Sequence, residues 1–518
     1  MLGQIKRGII KHLSSVWFVS AAIFFIGIIF LPAVYILSYV LKAENIFTAD
    51  ILKAVSASFI IGLIVVLLDF IFGLPLAWIL TRSKSKIVKV IDSLVDLSLV
   101  IPTAALGFSV YLYWGSKYGL AYLLGLDYGL FSAGPILIIL LHIVFTLPYM
   151  IRSIAAAIVK IDIAYEQAAV TLGAKPVTVF RTVYFPLFKD GIIVGSILSF
   201  TRSLSETGAT MMVAGVFTTA PIFIVGLKQA GQLPQAAGAS IIMIVSAIVI
   251  LFISKLFLGQ KKINLEKIYP RAADSLLKLK IVRDIILGLF LIFIIFLPTT
   301  YLIIFNLTNL QLFFNSLIVK SLLISFAIAL IVTIINLFFS APIAYLIAHN
   351  KFRLGKILDS LNEIVLLVPT SALGLSLVLF WQQWLQGEFI ILILTHLSFS
   401  FPLLVKPLIT AFKHIPLELE EAAYSLGASK RKMFMTILLP LIKPALIAGS
   451  IMAFMRSLSE TGATLAVSDQ IKTIPVLIVD LVNQGQLNQA GFVSAVLFVI
   501  AFIFLLILKH NKFSKNKL

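Results

Sequence analysis

Two stretches of this chain carry the same nine residues, Arg-Ser-Leu-Ser-Glu-Thr-Gly-Ala-Thr, at 202–210 and again at 456–464. Each sets an arginine and a glutamate four apart in a largely apolar run, Arg202 with Glu206 and Arg456 with Glu460. On a helix that spacing puts the two groups on one face. They then either neutralise each other or leave the arginine to hold an anion. Gly208 and Gly462 would let helices approach closely, and the Thr210 and Thr464 hydroxyls could meet a substrate or the opposing helix. A charge in hydrocarbon costs at least about 2.5–3.5 kcal/mol on insertion scales unless it is paired or hydrated. Both pairs should therefore face a bundle axis or a water-filled cavity. The expected pathway or gate consists of Arg202, Glu206, Thr210, Arg456, Glu460 and Thr464.

Other chemistry is sparse. The chain has no cysteine, which excludes disulfides, thiolate metal sites and cysteine nucleophiles. His142 and His396 have no carboxylate at metal-ligand spacing and read as structural, so neither a metal site nor a catalytic residue is assigned. Asp69 is matched by Asn336 and reads as a hydrogen-bonded contact between helices rather than a proton relay. Asp92, Asp96, Asp359 and Glu363 sit near the start of apolar runs, where carboxylates suit a helix N-terminus. No Gly-x-x-x-x-Gly-Lys-Ser/Thr phosphate loop occurs, so nucleotide hydrolysis would have to come from other chains.

The elements that must position these residues follow from composition. Of 518 residues, 60% are hydrophobic and 12% charged, against roughly 45–50% and 25% in soluble domains. So much apolar surface argues for lipid as the solvent. The net charge of +19 is then a matter of basic loops, and no nucleic-acid partner is expected. Lys6, Arg7 and Lys11 precede an apolar run that is too long for a signal peptide. Twelve stretches could cross about 30 Å of hydrocarbon, near 15–41, 53–80, 95–114, 134–158, 190–215 and 237–257, then 283–306, 317–348, 361–382, 388–411, 445–467 and 490–508. With the N-terminus inside, 33 of the 41 lysines and arginines fall on the cytoplasmic side. The positive-inside rule then places both termini in the cytoplasm.

The nine-residue repeat belongs to a duplication. An offset of 254 also pairs His142 with His396, Pro148 with Pro402, Gly173 with Gly427 and Pro186 with Pro440. Upstream the offset becomes 267, pairing Pro75 with Pro342 and Asp92 with Asp359, so the first half carries about 13 extra residues near 112–135. Six spans per half make the repeats parallel, about an axis along the membrane normal, with the working site at their interface. The expected division is a first repeat at 1–257, a cytoplasmic joint at 258–282 with an interfacial helix, and a second repeat at 283–518.

Between the fourth and fifth spans of each half lies a matched cytoplasmic segment, Tyr165 to Leu187 and Leu419 to Leu441. Glu166, Ala168, Ala169 and Gly173 recur as Glu420, Ala422, Ala423 and Gly427. Good helix formers run up to a glycine stop, giving helix, turn, helix, with small alanines that another protein can approach. These loops resemble the E-A-A motif of permease subunits of bacterial ABC importers, although Gln167 interrupts the first copy. The chain is similar to fused permeases, as in some ferric-iron and thiamine importers. The repeated nonapeptide is similar to the G-E-F-G-A-T stretch of molybdate, tungstate and sulfate permeases, with Ser205 and Thr207 replacing its first Gly and its Phe.

The resemblance implies an all-helical polytopic membrane protein of twelve transmembrane helices in two parallel six-helix repeats, like a type I importer permease. It implies a small ion or nutrient as substrate, with an oxyanion ahead of ferric iron or thiamine. It also implies two ATPase subunits docked on the E-A-A loops and holding ATP and Mg, an extracytoplasmic substrate-binding protein, and residence in the cytoplasmic membrane. The chain itself would hold no cofactor and would not be an enzyme. An ion-coupled twelve-span secondary transporter is the alternative, and it would call for unpaired carboxylates along the pathway.

Overall fold

The computed structural model describes residues 16–41, 46–83, 85–257, 280–306, 312, 315–349 and 353–513. The basic residues at 6–11 and nearly all of the expected joint at 258–282 lie outside the described residues. The described elements are helices joined by short turns.

The first half runs as α1 (Phe18–Val40), α2 (Ala49–Arg82), α3 (Lys86–Val100), α4 (Thr103–Val110), α5 (Pro135–Val159), α6 (Ile163–Thr171), α7 (Phe185–Ser205), α8 (Gly208–Ala214), α9 (Ala220–Gln229) and α10 (Leu233–Phe257). The second half repeats it as α11 (Val282–Asn306), α12 (Ser316–His349), α13 (Arg353–Leu367), α14 (Thr370–Trp381), α15 (Glu388–Lys413), α16 (Leu417–Ser425), α17 (Leu439–Leu458), α18 (Gly462–Val467), α19 (Ile474–Asn483) and α20 (Leu487–Phe513). Among the described residues, ten helices are long and apolar enough to cross a membrane, or up to twelve if each of two bent pairs counts as one span. These long helices are apolar along most of their length, as expected where one face meets lipid and the other meets protein. The extra residues of the first half fall between α4 and α5.

Two pairs of expected spans are not single rods. The third and ninth are bent, the ninth by 108° between α13 and α14. Pro102 and Pro369 stand at the bends with ψ of 132° and 133°, and a proline also pushes the residue before it out of the helical region. The fifth and eleventh, expected as continuous over 190–215 and 445–467, break at the repeated nonapeptide. α7 ends at Ser205, Glu206 is extended at φ −77°, ψ 129°, and α8 starts at Gly208. Arg202 and Glu206 therefore do not share one continuous helix, although their charged groups still meet.

The repeats are successive in sequence but interleaved in space. α1 packs on the second half, where Phe24 stacks on Phe339 with ring centroids 4.1 Å apart and Ser376 Oγ donates to Pro32 O at 2.6 Å. In return α11 packs on the first half, where Phe290 stacks on Phe72 at 3.7 Å. The two large apolar clusters each draw buried side chains from both halves, so the halves fold as one body around a shared axis.

Candidate functional site

The broken spans meet at that axis. A side chain on Gly208 would come within 2.3 Å of Thr461 Cγ2, and one on Gly462 within 2.4 Å of Thr207 Oγ1. Each break thus lies against the other, and only glycine allows the approach. A cavity of about 250 Å³ sits immediately beside this crossing and is lined by both halves. Its walls on α7 and α17 are residues that precede the breaks, so it lies on the side of the crossing that carries α6 and α16.

Arg202 and Arg456 both line this cavity, with the hydroxyls of Thr103, Ser205, Thr370 and Ser459 around them. Each guanidinium is fixed on two sides. Arg202 Nη2 meets Glu206 Oε2 at 2.7 Å and Arg456 Nη1 meets Glu460 Oε2 at 2.5 Å. Each guanidinium also lies over an aromatic ring with its carbon 5.0 Å from the centroid, Arg202 over Phe145 and Arg456 over Phe399. Guanidinium carries five N–H donors, and one carboxylate oxygen does not exhaust them. Donors remain for a ligand in the cavity.

The other expected pathway residues stand behind this lining. Glu206 and Glu460 are buried and do not line the cavity. Their second carboxylate oxygens accept the N–H of Ala209 at 3.2 Å and of Ala463 at 2.8 Å, satisfying donors at the starts of α8 and α18. Thr103 Oγ1 donates to Glu206 Oε1 at 3.2 Å, and the Thr370 hydroxyl bonds Glu460. Thr210 and Thr464 are also fully buried and do not line the cavity. They meet histidines instead. His142 Nδ1 lies 2.8 Å from Ser203 Oγ and Nε2 lies 2.9 Å from Thr210 Oγ1, which ties α7 to α8 across the break. His396 repeats the tie with Ser457 at 2.8 Å and Thr464 at 3.1 Å. Among the described residues no group of three or more His, Cys, Asp or Glu side chains could hold a metal ion.

The E-A-A segments form short helices, α6 and α16, each closed by a glycine with positive φ, Gly173 at +81° and Gly427 at +75°. Ala174 N–H reaches Ala169 O and Ala428 N–H reaches Ala423 O, both at 3.0 Å, which closes the last turn as a Schellman motif. The two glutamates face their own half. Glu166 Oε2 takes Arg82 Nη1 and the Tyr184 hydroxyl, each at 2.6 Å. Glu420 takes the Tyr345 hydroxyl at 2.8 Å, with His349 Nε2 at 3.2 Å. Among the residues that α6, α16 and their closing turns leave open are Ala168, Ala422 and two matched apolar side chains, Leu172 and Leu426, each 88% exposed. Ala169 is half-buried and Ala423 buried.

Several neighbours of these residues escape sequence reasoning. Leu172 and Leu426 occupy matched positions of the repeat, and that matching was the available signal. Asp92 and Asp96 do not serve as helix-end charges. Both pair with Arg152 of α5, at 2.5 and 2.7 Å, as Asp359 and Glu363 pair with Lys406 of α15, both at 2.7 Å. These pairs hold α3 and α13, which lead into the cavity wall, against their neighbours.

A family model described as the binding-protein-dependent transport system inner membrane component matches the chain twice, over residues 70–260 and 340–515. The molybdate/tungstate transport system permease protein of Methanocaldococcus jannaschii is 27% identical over 234 residues, 44% of this chain and 90% of that protein. The molybdenum transport system permease protein of Escherichia coli K12 is 34% identical over 212 residues, 39% of this chain and 91% of its own length. A probable sulfate transport system permease protein of Marchantia polymorpha is 28% identical over 216 residues, covering 41% and 75%. Each of these alignments covers less than half of this chain.

Proposed function

The chain belongs to the family of binding-protein-dependent transport system inner membrane components, and from that premise we propose that it forms, by itself, the whole translocation path for a small inorganic oxyanion. The observation that carries this reading is that one cavity is lined by both Arg202 and Arg456, from opposite halves. An oxyanion offers several acceptor oxygens to planar guanidinium donors. Because each arginine is also neutralised by its own glutamate, the anion meets donors without a deep electrostatic well. Weak holding of this kind lets a permeating ion leave as well as enter.

With the loops carrying α6 and α16 in the cytoplasm, as the lysine and arginine distribution indicates, the cavity opens inward and the Gly208–Gly462 crossing closes the outer side. An extracytoplasmic binding protein delivers substrate to that outer side. Two ATPase subunits seat on α6 and α16, where Ala168, Leu172, Ala422 and Leu426 form the contact surface. Glu166 and Glu420 act as struts that fix each helix to its half, and Gly173 and Gly427 shape the turn. ATP and Mg are held by those subunits, and this chain supplies the sites through which they favour one conformation over the other.

The test is uptake of labelled molybdate, tungstate and sulfate by cells producing the chain with its neighbouring transport genes. Saturable, ATP-dependent uptake of one oxyanion, competed by the others, supports the reading. Uptake that follows an ion gradient and persists without ATP would replace it with a secondary transporter. Orientation is checked by single cysteines labelled with an impermeant thiol reagent on intact cells. Positions Ser83 and Ser429 should be shielded, and Tyr122, exposed in the extra segment of the first half, should label.

A further inference from the structure

One buried ionisable group plays no part in the pathway. Asp69, in the middle of α2, is fully buried, and neither carboxyl oxygen receives a hydrogen bond from the described residues. The groups facing it are the hydroxyls of Thr146 on α5 and Ser199 on α7. Both have already used their single proton. Thr146 Oγ1 donates to His142 O at 2.7 Å and Ser199 Oγ donates to Thr146 O at 3.1 Å. What they turn toward Asp69 is lone pairs. An ionised carboxylate there would face acceptors only, in a membrane interior where an unpaired charge is costly.

The second half shows what this position needs. Asn336 stands where Asp69 does and Ser400 where Thr146 does. Asn336 Nδ2 donates to Ser400 Oγ at 2.8 Å, and Ser400 Oγ donates onward to His396 O. The chain of donors therefore starts at the residue on the second span. An amide always has N–H to give, whereas a carboxyl has a proton to give only in its acid form.

We propose that Asp69 is a proton-binding site, a neutral carboxylic acid whose O–H donates to Thr146 Oγ1 as the Asn336 amide donates to Ser400. The ligand is one proton, taken from water, converting carboxylate to carboxylic acid with no other bond made or broken. It stays bound through transport, so Asp69 does not couple transport to a proton gradient.

The test is infrared difference spectroscopy on the purified chain at neutral pH, wild type against Asp69→Asn. The expected result is a carbonyl stretching band of a protonated carboxyl in the wild type, absent from Asp69→Asn and shifted to higher frequency in Thr146→Val, where the acceptor is gone. Carboxylate bands in place of that band would overturn the proposal. Asp69→Asn should also retain uptake within about twofold of wild type, since asparagine serves the second half. Loss of uptake in a folded Asp69→Asn protein, or sodium-dependent uptake that this change abolishes, would make Asp69 a coupling group and overturn the proposal. Should Asp69→Asn fail to fold, Asn336→Asp reads the same geometry from the other side. A second protonated carboxyl band is expected there, and a carboxylate would contradict the inference.

Discussion

The two halves agree closely at the axis and diverge toward the rim. Arg202 and Arg456 make the same ion pair and the same aromatic contact at the same centroid distance. His142 and His396 bridge the same two hydroxyl positions. At the rim the same glutamate is held by different means. Glu166 has Arg82, which also lies over the Trp78 and Tyr184 rings, and Glu420 has Tyr345 and His349. A residue at the axis meets the other copy of its own segment, so a change in either copy disturbs both sides of one contact. A strut at the rim has only to hold a carboxylate, and more than one set of donors does that.

The largest expected effect follows from breaking the axis contact. Gly208→Ala or Gly462→Ala would drive a methyl group into the facing threonine. Uptake should fall by tenfold or more in both variants, with stability lowered by about 1–3 kcal/mol from overpacking. A loss confined to one half would break the comparison, because the crossing would then not be shared. Next come the histidine ties. His142→Ala and His396→Ala each leave two buried hydroxyl positions short of a partner, at about 1–3 kcal/mol, and thermal unfolding in detergent should show similar losses for the two. The smallest effect belongs to the struts. Arg82→Ala removes a partly exposed ion pair, for which about 1 kcal/mol or less is expected, and His349→Ala should cost less because its contact with Glu420 is longer, 3.2 Å against 2.6 Å, while Tyr184 and Tyr345 still hold the two glutamates. Hydrogen exchange over Ile163–Thr171 and Leu417–Ser425 reads the two struts separately, and exchange should rise more in the first.

Much of this was legible in the sequence because duplication states the same message twice. The repeated nonapeptide marked the axis, and the matched Glu, Ala and Gly positions marked the two short helices. What stayed hidden depended on backbone direction. Arg202 and Glu206 read as helix-face partners by spacing, yet Glu206 lies beyond the helix end and caps the next one through Ala209. The tie from Thr210 across the break to His142 left no signal in the spacing. The exchange of α1 and α11 between halves left no periodic trace, because a lipid-embedded helix is apolar whichever half it packs on. Arg152 and Lys406 sit on a different span from their carboxylates, and spacing along one chain carries no information about that pairing.

The central claim is that Arg202 and Arg456 offer donors to a substrate rather than serving only their glutamates. Oxyanion uptake by Arg202→Gln, Arg456→Gln, the double change, and Arg202→Gln combined with Glu206→Gln tests it most directly, with folding checked by thermal unfolding in detergent. The account predicts a reduction of about tenfold for either single arginine change, near abolition for both together, and no recovery when Glu206→Gln is added. Full recovery of uptake in the Arg202→Gln, Glu206→Gln protein would contradict it, since the arginine would then have been needed only to neutralise a buried carboxylate.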